Sequence, residues 1–221
     1  MVDDGYCARH PLLANINGLW WPADDRDARP IITHDCDPAI KAILPHIRGR
    51  DCIVQAGANV GTYPLALADH FASVITCEPD PTNYMCLGRN LTARDSLNRV
   101  SATYGALGEE AGVCTPLVVR PGNCGAHRVD FDAGVTPVIT IDSLDLAACD
   151  AIWWDVEGAE LPALKGARQT IERFSPTIAV EDKGLHRAFR IEDGALQVWL
   201  EALGYTQTGR IGQDKVFRRN P

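Results

Sequence analysis

A mainly parallel α/β sheet with helices on both faces is the fold class this sequence predicts. Short, continuous apolar runs recur along the chain, at Cys52-Ile53-Val54, Val74-Ile75-Thr76-Cys77, Ala151 to Val156 and Thr177 to Val180. Runs of this kind mark strands buried on both faces. Segments with helical spacing lie between them, the clearest being Glu160 to Arg173, where Leu161, Leu164, Ala167 and Ile171 share one face. Strands that alternate with helices must run parallel and connect through right-handed crossovers.

The bulk properties suit one sizeable core. The chain has 221 residues, 46% hydrophobic and 23% charged, with a formal net charge of -8. An acidic surface disfavours a role dominated by phosphate contacts, so no nucleic-acid partner is expected. No run approaches the roughly 20 apolar residues of a membrane span, and no signal-like segment opens the chain, so no membrane partner is expected. The 8 cysteines form neither C-x-x-C nor a zinc-finger spacing. They read as reduced thiols of a cytoplasmic protein.

Residues 1–30 read as irregular, because Pro11, Gly18, Pro22 and Pro30 interrupt any periodicity. Trp20 and Trp21 stand beside a charge cluster. They read as an arm packed over the core, with a lid or a homo-oligomer contact as the alternative. Asp37-Pro38 opens a helix carrying Ile40, Ile43, Leu44 and Ile47, ended by Gly49. Residues 1–50 are thus an N-terminal arm and helix packing on the core, and 51–221 form the ligand-binding domain.

The first strand of that domain ends in Gln55-Ala56-Gly57-Ala58-Asn59-Val60-Gly61. Glycines there let the backbone approach a ligand. Thr62 reads as the cap of the next helix, with Pro64 in its first turn. The second strand ends in Glu78-Pro79-Asp80, about 20 residues after the glycine turn, which suits a carboxylate that binds ribose hydroxyls. Asp80 and Pro81 open a helix with Tyr84, Leu87 and Leu91 on one face, and Asn83 in its first turn lies close to the ribose site. A third strand is expected near Val100 to Leu107.

Residues 112 to 139 do not fit a βα repeat. Val113 to Arg120 and Ala126 to Phe131 read as a hairpin around Pro121 to Gly125, carrying His127 and Arg128. It is either a surface excursion or a wall on the substrate side. A helix around Ile191 to Leu203 follows the later strands. Tyr205–Thr208 and Lys215–Arg218 then form a terminal hairpin. Gly57, Glu78, the Ala106 region, Asp155 and Glu181 are all strand ends, so they can converge on one site.

Several stretches resemble the FkbM-type family of class I S-adenosyl-L-methionine-dependent methyltransferases. They are Q-A-G-A-N-V-G, C-E-P-D-P-x-N, T-I-D-S-L, W-D-V-E-G-A-E-L-P-A-L-K-G-A and S-P-T-I-A-V-E, running from about Asp51 to Glu181 in that family's order. Gln55 stands where that family usually has Asp. The resemblance implies a Rossmann-like class I methyltransferase fold, with seven strands and a C-terminal antiparallel hairpin. It implies S-adenosyl-L-methionine as cofactor, held by Gln55, Gly57, Ala58, Asn59, Gly61, Glu78, Pro79, Asn83, Ala106 and Asp155. It also implies O-methylation, here of a small-molecule or sugar hydroxyl.

Candidate bases for deprotonating the acceptor are Asp155, Glu157, Glu181 and His186, with His127 also considered. Asp155 reads first as a cofactor anchor and His186 as a solvated loop histidine. Asp155 with Glu181 could instead hold a divalent cation, although no metal site is assigned. Two rival readings stay open. One is an NAD-dependent oxidoreductase, against which the missing glycines of G-x-G-x-x-G argue. The other is a non-catalytic binding module, kept open by Gln55.

Overall fold

The computed structural model describes residues 12–27 and 36–219. Cys7, Pro11 and Pro30 lie outside the described residues. The first described element corrects the irregular reading of the N-terminal region: β1 (Leu13–Ile16) and β2 (Leu19–Pro22) form an antiparallel hairpin. Asn17 and Gly18 take φ of 54° and 80° between them. A two-residue hairpin turn of the I′ type needs positive φ at both positions, and Asn-Gly is its strongest sequence signal.

Helix α1 (Asp37–Ile43) has proline in its first turn, as expected, and gives way to a 3-10 turn over Leu44–His46 rather than continuing toward Gly49. Pro45 lacks the N–H that a longer α-helix would require. Then come β3 (Cys52–Ala56), α2 (Thr62–Leu67), β4 (Ser73–Glu78) and α3 (Pro81–Arg94). Thr62 is the first residue of α2, not its cap. The cap position is Gly61 at φ 97°, with no side-chain hydrogen bond. Asp80 caps α3 through its side chain, accepting from the backbone N–H groups of Thr82 and Asn83.

The strand expected over 100–107 divides into β5 (Val100–Tyr104) and β6 (Ala106–Leu107). Gly105 between them has φ 153°, and a Cβ there would lie 2.9 Å from the Pro137 carbonyl oxygen. The chain turns out of the main sheet at this point. Strand β6 joins β7 (Gly112–Leu117), β8 (Arg128–Asp130) and β9 (Thr136–Ile139) in a separate sheet ordered β6-β9-β7-β8. The hairpin expected here is the antiparallel β7–β8 pair.

Strand β10 (Ala151–Trp154) is followed by α4 (Glu160–Lys165) and α5 (Arg168–Phe174), where one continuous helix was expected. Gly166 sits so close to Gly108 that a Cβ would fall 2.0 Å from its carbonyl oxygen. The Asp142 carboxylate accepts from the N–H groups of Gln169 and Thr170, and so starts the second helix separately. The chain ends with β11 (Thr177–Glu181), α6 (Ala195–Ala202) and the hairpin β12 (Tyr205–Ile211) and β13 (Asp214–Arg219). Helix α6 starts later than expected because Gly194, at φ 81°, holds its cap position.

The main sheet has seven strands in the order β12-β13-β11-β10-β3-β4-β5. Strands β11, β10, β3, β4 and β5 are parallel, and the terminal hairpin adds β13, antiparallel to β11, and β12, antiparallel to β13. This is the seven-stranded arrangement with a C-terminal hairpin that the sequence led us to expect. Alternate residues feed two cores. Val54, Ile152, Trp154, Ile178 and Phe217 pack with Leu164, Ile171 and Leu200 of α4, α5 and α6. Ile53, Val74, Trp153, Ala179 and Val216 pack with Ile40 and Ile43 of α1 and Leu67 of α2. The strand order reverses between β3 and β10, which opens a crevice over their carboxyl ends. Among the described residues no helix is long and apolar enough to cross a membrane.

Candidate active site

A cleft of about 960 Å³, including its open mouth, lies over that reversal. Its floor is the loop after β3. Gly57 has φ 80°, and a Cβ on it would fall 1.9 Å from the carbonyl oxygen of Asp155. The backbones after β3 and β10 therefore touch, and glycine is required both for the angle and for the approach. Gln55 lines the cleft at the end of β3, its Oε1 accepting from the Thr76 hydroxyl at 2.9 Å and its Nε2 donating to the carbonyls of Ala56 and Gly57. It contributes shape and hydrogen bonds, but no charge.

At the end of β4 the buried Glu78 carboxylate is fixed by two backbone donors. Asn59 N–H reaches its Oε2 at 2.8 Å, and Asp80 N–H reaches its Oε1 at 2.9 Å. Burial pushes this carboxyl up to about 7, with the charge of Asp80 adding to the rise and the two amides opposing it. Pro79 lines the same wall.

A roof closes over this half. The Cys124 carbonyl accepts from Asn59 Nδ2 at 2.9 Å and from Asn83 Nδ2 at 3.0 Å, while the Cys124 N–H donates to Asp25 Oδ1 at 3.1 Å. The insertion is thereby tied to the glycine loop, to α3 and to the N-terminal segment. The arm itself is pinned to α3. Asn90 exchanges two hydrogen bonds with the backbone of Trp20, and the Arg89 guanidinium lies 4.3 Å from the Trp20 ring centroid. His127 also lines the cleft and pairs through Nδ1 with Asp80 Oδ2 at 3.0 Å.

The other half is acidic. Asp155, Glu181 and Asp214 line it, with Tyr63 and Trp153. The Trp153 indole N–H donates to Asp214 Oδ2 at 2.8 Å, and the Tyr63 ring meets Trp153 edge-on at 5.3 Å. Lys183 Nζ lies 2.6 Å from Glu181 and 3.8 Å from each of Asp155 and Glu157. Burial pushes Glu181 up to about 8, reinforced by the charge of Asp155 and a shared hydrogen bond with it, against the pull of Lys183. Burial, then the Asp155 charge, also raises Glu157, which Lys183 and Arg128 partly offset.

The fold therefore brings Gln55, Gly57, Ala58, Asn59, Glu78, Pro79, Asn83, Asp155 and Glu181 to one cleft. Gly61, expected to touch the cofactor, does not line it and packs instead against Leu87 of α3. Ala106 lines a smaller adjoining depression that shares Gly57, Pro79 and His127. His186 sits in a different depression beside Glu160 and Asp182, its Nε2 paired with Asp193 at 2.9 Å. Lys183, Asp214, Tyr63 and Trp153 were not singled out from sequence as site residues. Asp214 faces the cleft because β13 pairs antiparallel with β11, setting it opposite Glu181. That pairing leaves no mark in the local sequence. Lys183 had one available signal, its position two residues after a strand-end carboxylate.

One feature fits the cofactor expected here. Asn83 Oδ1, buried in the cleft wall, is an acceptor with no hydrogen-bond partner among the described residues.

Comparison with known proteins agrees with this geometry. The family model of the methyltransferase FkbM domain matches residues 55–206. A curated relative, methyltransferase sdnD of Sordaria araneosa, is 28% identical over 169 residues, covering 58% of this chain and 65% of that one. Among solved structures, methyltransferase FkbM from Methylobacillus flagellatus KT superposes with a TM-score of 0.51 at 22% identity, over 79% of this chain and 45% of that chain. The precorrin 8w decarboxylase of Methanobacterium thermoautotrophicum superposes with a TM-score of 0.50 at 14% identity, over 83% and 89%. At these identities the structural likeness is one of fold. The chain spans 65% of its curated relative and under half of the Methylobacillus protein.

Proposed function

Since the chain belongs to the FkbM family of methyltransferases, we propose that it is an S-adenosyl-L-methionine-dependent O-methyltransferase acting on a hydroxyl of a small, neutral, polyhydroxylated acceptor such as a sugar. The observation that carries this reading is the division of one cleft between an amide-fixed carboxylate, Glu78, and an acidic end that holds Asp155 and Glu181.

The bound cofactor supplies an electrophilic methyl group on a sulfonium. Glu78 holds the ribose hydroxyls, using the lone pairs that Asn59 and Asp80 leave free. Asn83 Oδ1 accepts a further donor. Gly57 and Ala58 admit the ligand against bare backbone, and the Cys124–Gly125 roof limits water above it. Asp155 holds the cationic end of the cofactor. Glu181 accepts the acceptor's hydroxyl proton, since a carboxyl raised to about 8 is a base matched to neutral pH.

A wall of carboxylates repels an acidic acceptor and offers hydrogen-bond acceptors to hydroxyls. Tyr63 and Trp153 add apolar ring surface of the kind sugars lie against. Calorimetric titration with S-adenosylhomocysteine and with NAD tests the cofactor half. A screen with methyl-labelled cofactor over sugars, polyols and small acids tests the acceptor half. Binding of NAD and not of S-adenosylhomocysteine overturns the reading. Transfer to acids in preference to neutral hydroxyls overturns the acceptor class.

A further inference from the structure

Three carboxylates meet at the acidic end of the cleft. Asp155 and Glu157 follow β10, and Glu181 closes β11, the neighbouring strand. One oxygen from each lies within 4.8 Å of the others. Like charges at this spacing repel strongly where water is scarce, as at Glu157 and Glu181, whose side chains are only 15% and 10% exposed, while Asp155, 49% exposed, stands at the wet edge of the cluster. Proteins commonly answer such a cluster with a divalent cation, for which carboxylate oxygens are suited ligands. Here the chain supplies a cation of its own. The Lys183 ammonium makes one hydrogen-bonded contact at 2.6 Å, with Glu181, and stands 3.8 Å from both Asp155 and Glu157. Asp182, the residue before it, is held to Lys215 at 2.6 Å, and Gly184, the residue after it, turns the chain at φ 75°. Both neighbours thus fix the segment from which the ammonium reaches the cluster.

We propose that Lys183 is a tethered cation that takes the place of a divalent metal ion: it holds Asp155, Glu157 and Glu181 together, positions Glu181 toward the acceptor, and makes the site metal-independent. An ammonium suits this place. It offers three donors on a flexible stem and leaves the outer lone pairs of each carboxylate for substrate. It also delivers a single charge, which leaves net negative charge in the cleft for a cationic cofactor. The role given to Glu181 rests on the methyltransferase reading. The substitution of a lysine for a metal stands without it.

The test uses the full chain, wild type and two variants, Lys183→Met and Lys183→Arg, with Mn²⁺ as the probe. Binding is followed by water-proton relaxation and by the shift in melting temperature, with Asp155→Asn on the Met background as a site marker. Removing the ammonium leaves three carboxylates facing an open centre, so Lys183→Met should bind Mn²⁺ at least about tenfold more tightly than wild type and melt higher in its presence. The second substitution should abolish that gain, and Lys183→Arg should behave as wild type because the charge is kept. Equal Mn²⁺ affinity in wild type and Lys183→Met overturns the proposal. Should Lys183→Met not fold, the wild type decides. A chelator should leave its melting temperature and its affinity for S-adenosylhomocysteine unchanged, and a loss of either overturns the proposal. Failure of S-adenosylhomocysteine to bind at all would sink the methyltransferase reading, while the Mn²⁺ measurements would still decide this one.

Discussion

The backbone N–H of Asn59 donates to Oε2 of Glu78 at 2.8 Å, joining the glycine loop after β3 to the end of β4. Asn59 itself takes φ 52° to point that N–H inward. The ends of two successive strands are thereby locked into one half of the cleft before any ligand arrives. Such preorganisation lowers the ordering cost of binding.

The same bond sets a pH dependence. Ribose hydroxyls donate, so they need the ionised carboxylate, whereas burial holds Glu78 at about 7 in the free protein. Below that pH the free site carries a proton that must leave on binding. Affinity for S-adenosylhomocysteine should therefore fall as pH drops below about 7, approaching tenfold per pH unit. Calorimetry in two buffers of different ionisation heat should show proton release at pH 6 and little at pH 8. Glu78→Gln should flatten the profile. Glu78→Ala should lose more affinity than Glu78→Gln, within about 1.5–3 kcal/mol. A flat wild-type profile would remove Glu78 as the ribose ligand.

Two glycines make a paired test of the floor. Gly57→Ala places a Cβ 1.9 Å from the Asp155 carbonyl oxygen at a φ of 80°. Neither backbone can yield without shifting β3 or β10, so a loss of about 2–3 kcal/mol or more is expected, together with loss of cofactor binding. Gly88, exposed within α3, would place its Cβ in open space. Gly88→Ala should raise stability by roughly 0.5–1 kcal/mol and leave binding alone. Urea denaturation of both variants checks the pair, and similar effects from the two would refute this account of Gly57.

The half of the cleft built around Gly57 and Glu78 was legible in sequence because it is written locally. A buried strand, a glycine turn and a strand-end acid lie within one stretch. The acidic half was only partly legible. Asp155 and Glu181 announce themselves as strand ends, whereas Asp214 enters through the antiparallel pairing of β13 with β11. Lys183 is one charge in a polar stretch, and its contacts with Asp155, Glu157 and Glu181 depend on side-chain reach across the ends of β11 and β10. The break between α4 and α5 was invisible for a similar reason. The apolar periodicity runs straight through Gly166, and what breaks the helix is Gly108 and Asp142 approaching from elsewhere.

The roof should be pH-sensitive through Asp80 and His127. Burial raises Asp80, but the His127 hydrogen bond and the two cap N–H groups outweigh it, and its carboxyl ends below 3.8. The Asp80 hydrogen bond carries His127 above 6.5 against burial. The lowered Asp80 contributes stability above 3.8, lost as pH falls through its folded value. The raised His127 contributes fully below 6.5, lost as pH climbs through its folded value. Asp80→Asn keeps an oxygen for the cap but removes the charge. Its melting temperature should trail wild type most between about pH 4 and 6.5, and the gap should close at higher pH. A gap that is constant across pH would show that only the cap was lost.

Glu181 and Asp155 stand together at the ends of adjacent strands, yet the roles proposed for them differ, and substitution should separate the two. If Glu181 takes the acceptor's proton, turnover requires its ionised form, so kcat/KM should rise with pH through about 8 and level off above. Glu181→Gln keeps the shape and an oxygen for Lys183 but cannot accept a proton. Saturated turnover should fall by about 10²–10⁴ and the rising limb should vanish, while affinity for S-adenosylhomocysteine stays close to wild type. Asp155→Asn should do the reverse. As the anchor of the cationic end it should weaken the cofactor and leave saturated turnover nearly intact. It should also move the limb. The Asp155 charge and its hydrogen bond are among the causes that raise Glu181, so removing that charge lowers the Glu181 carboxyl. The limb of Asp155→Asn should therefore appear at lower pH than in wild type. An unmoved limb in Asp155→Asn would show that the two carboxylates do not titrate as neighbours. A limb that survives in Glu181→Gln would pass the role of base to another group.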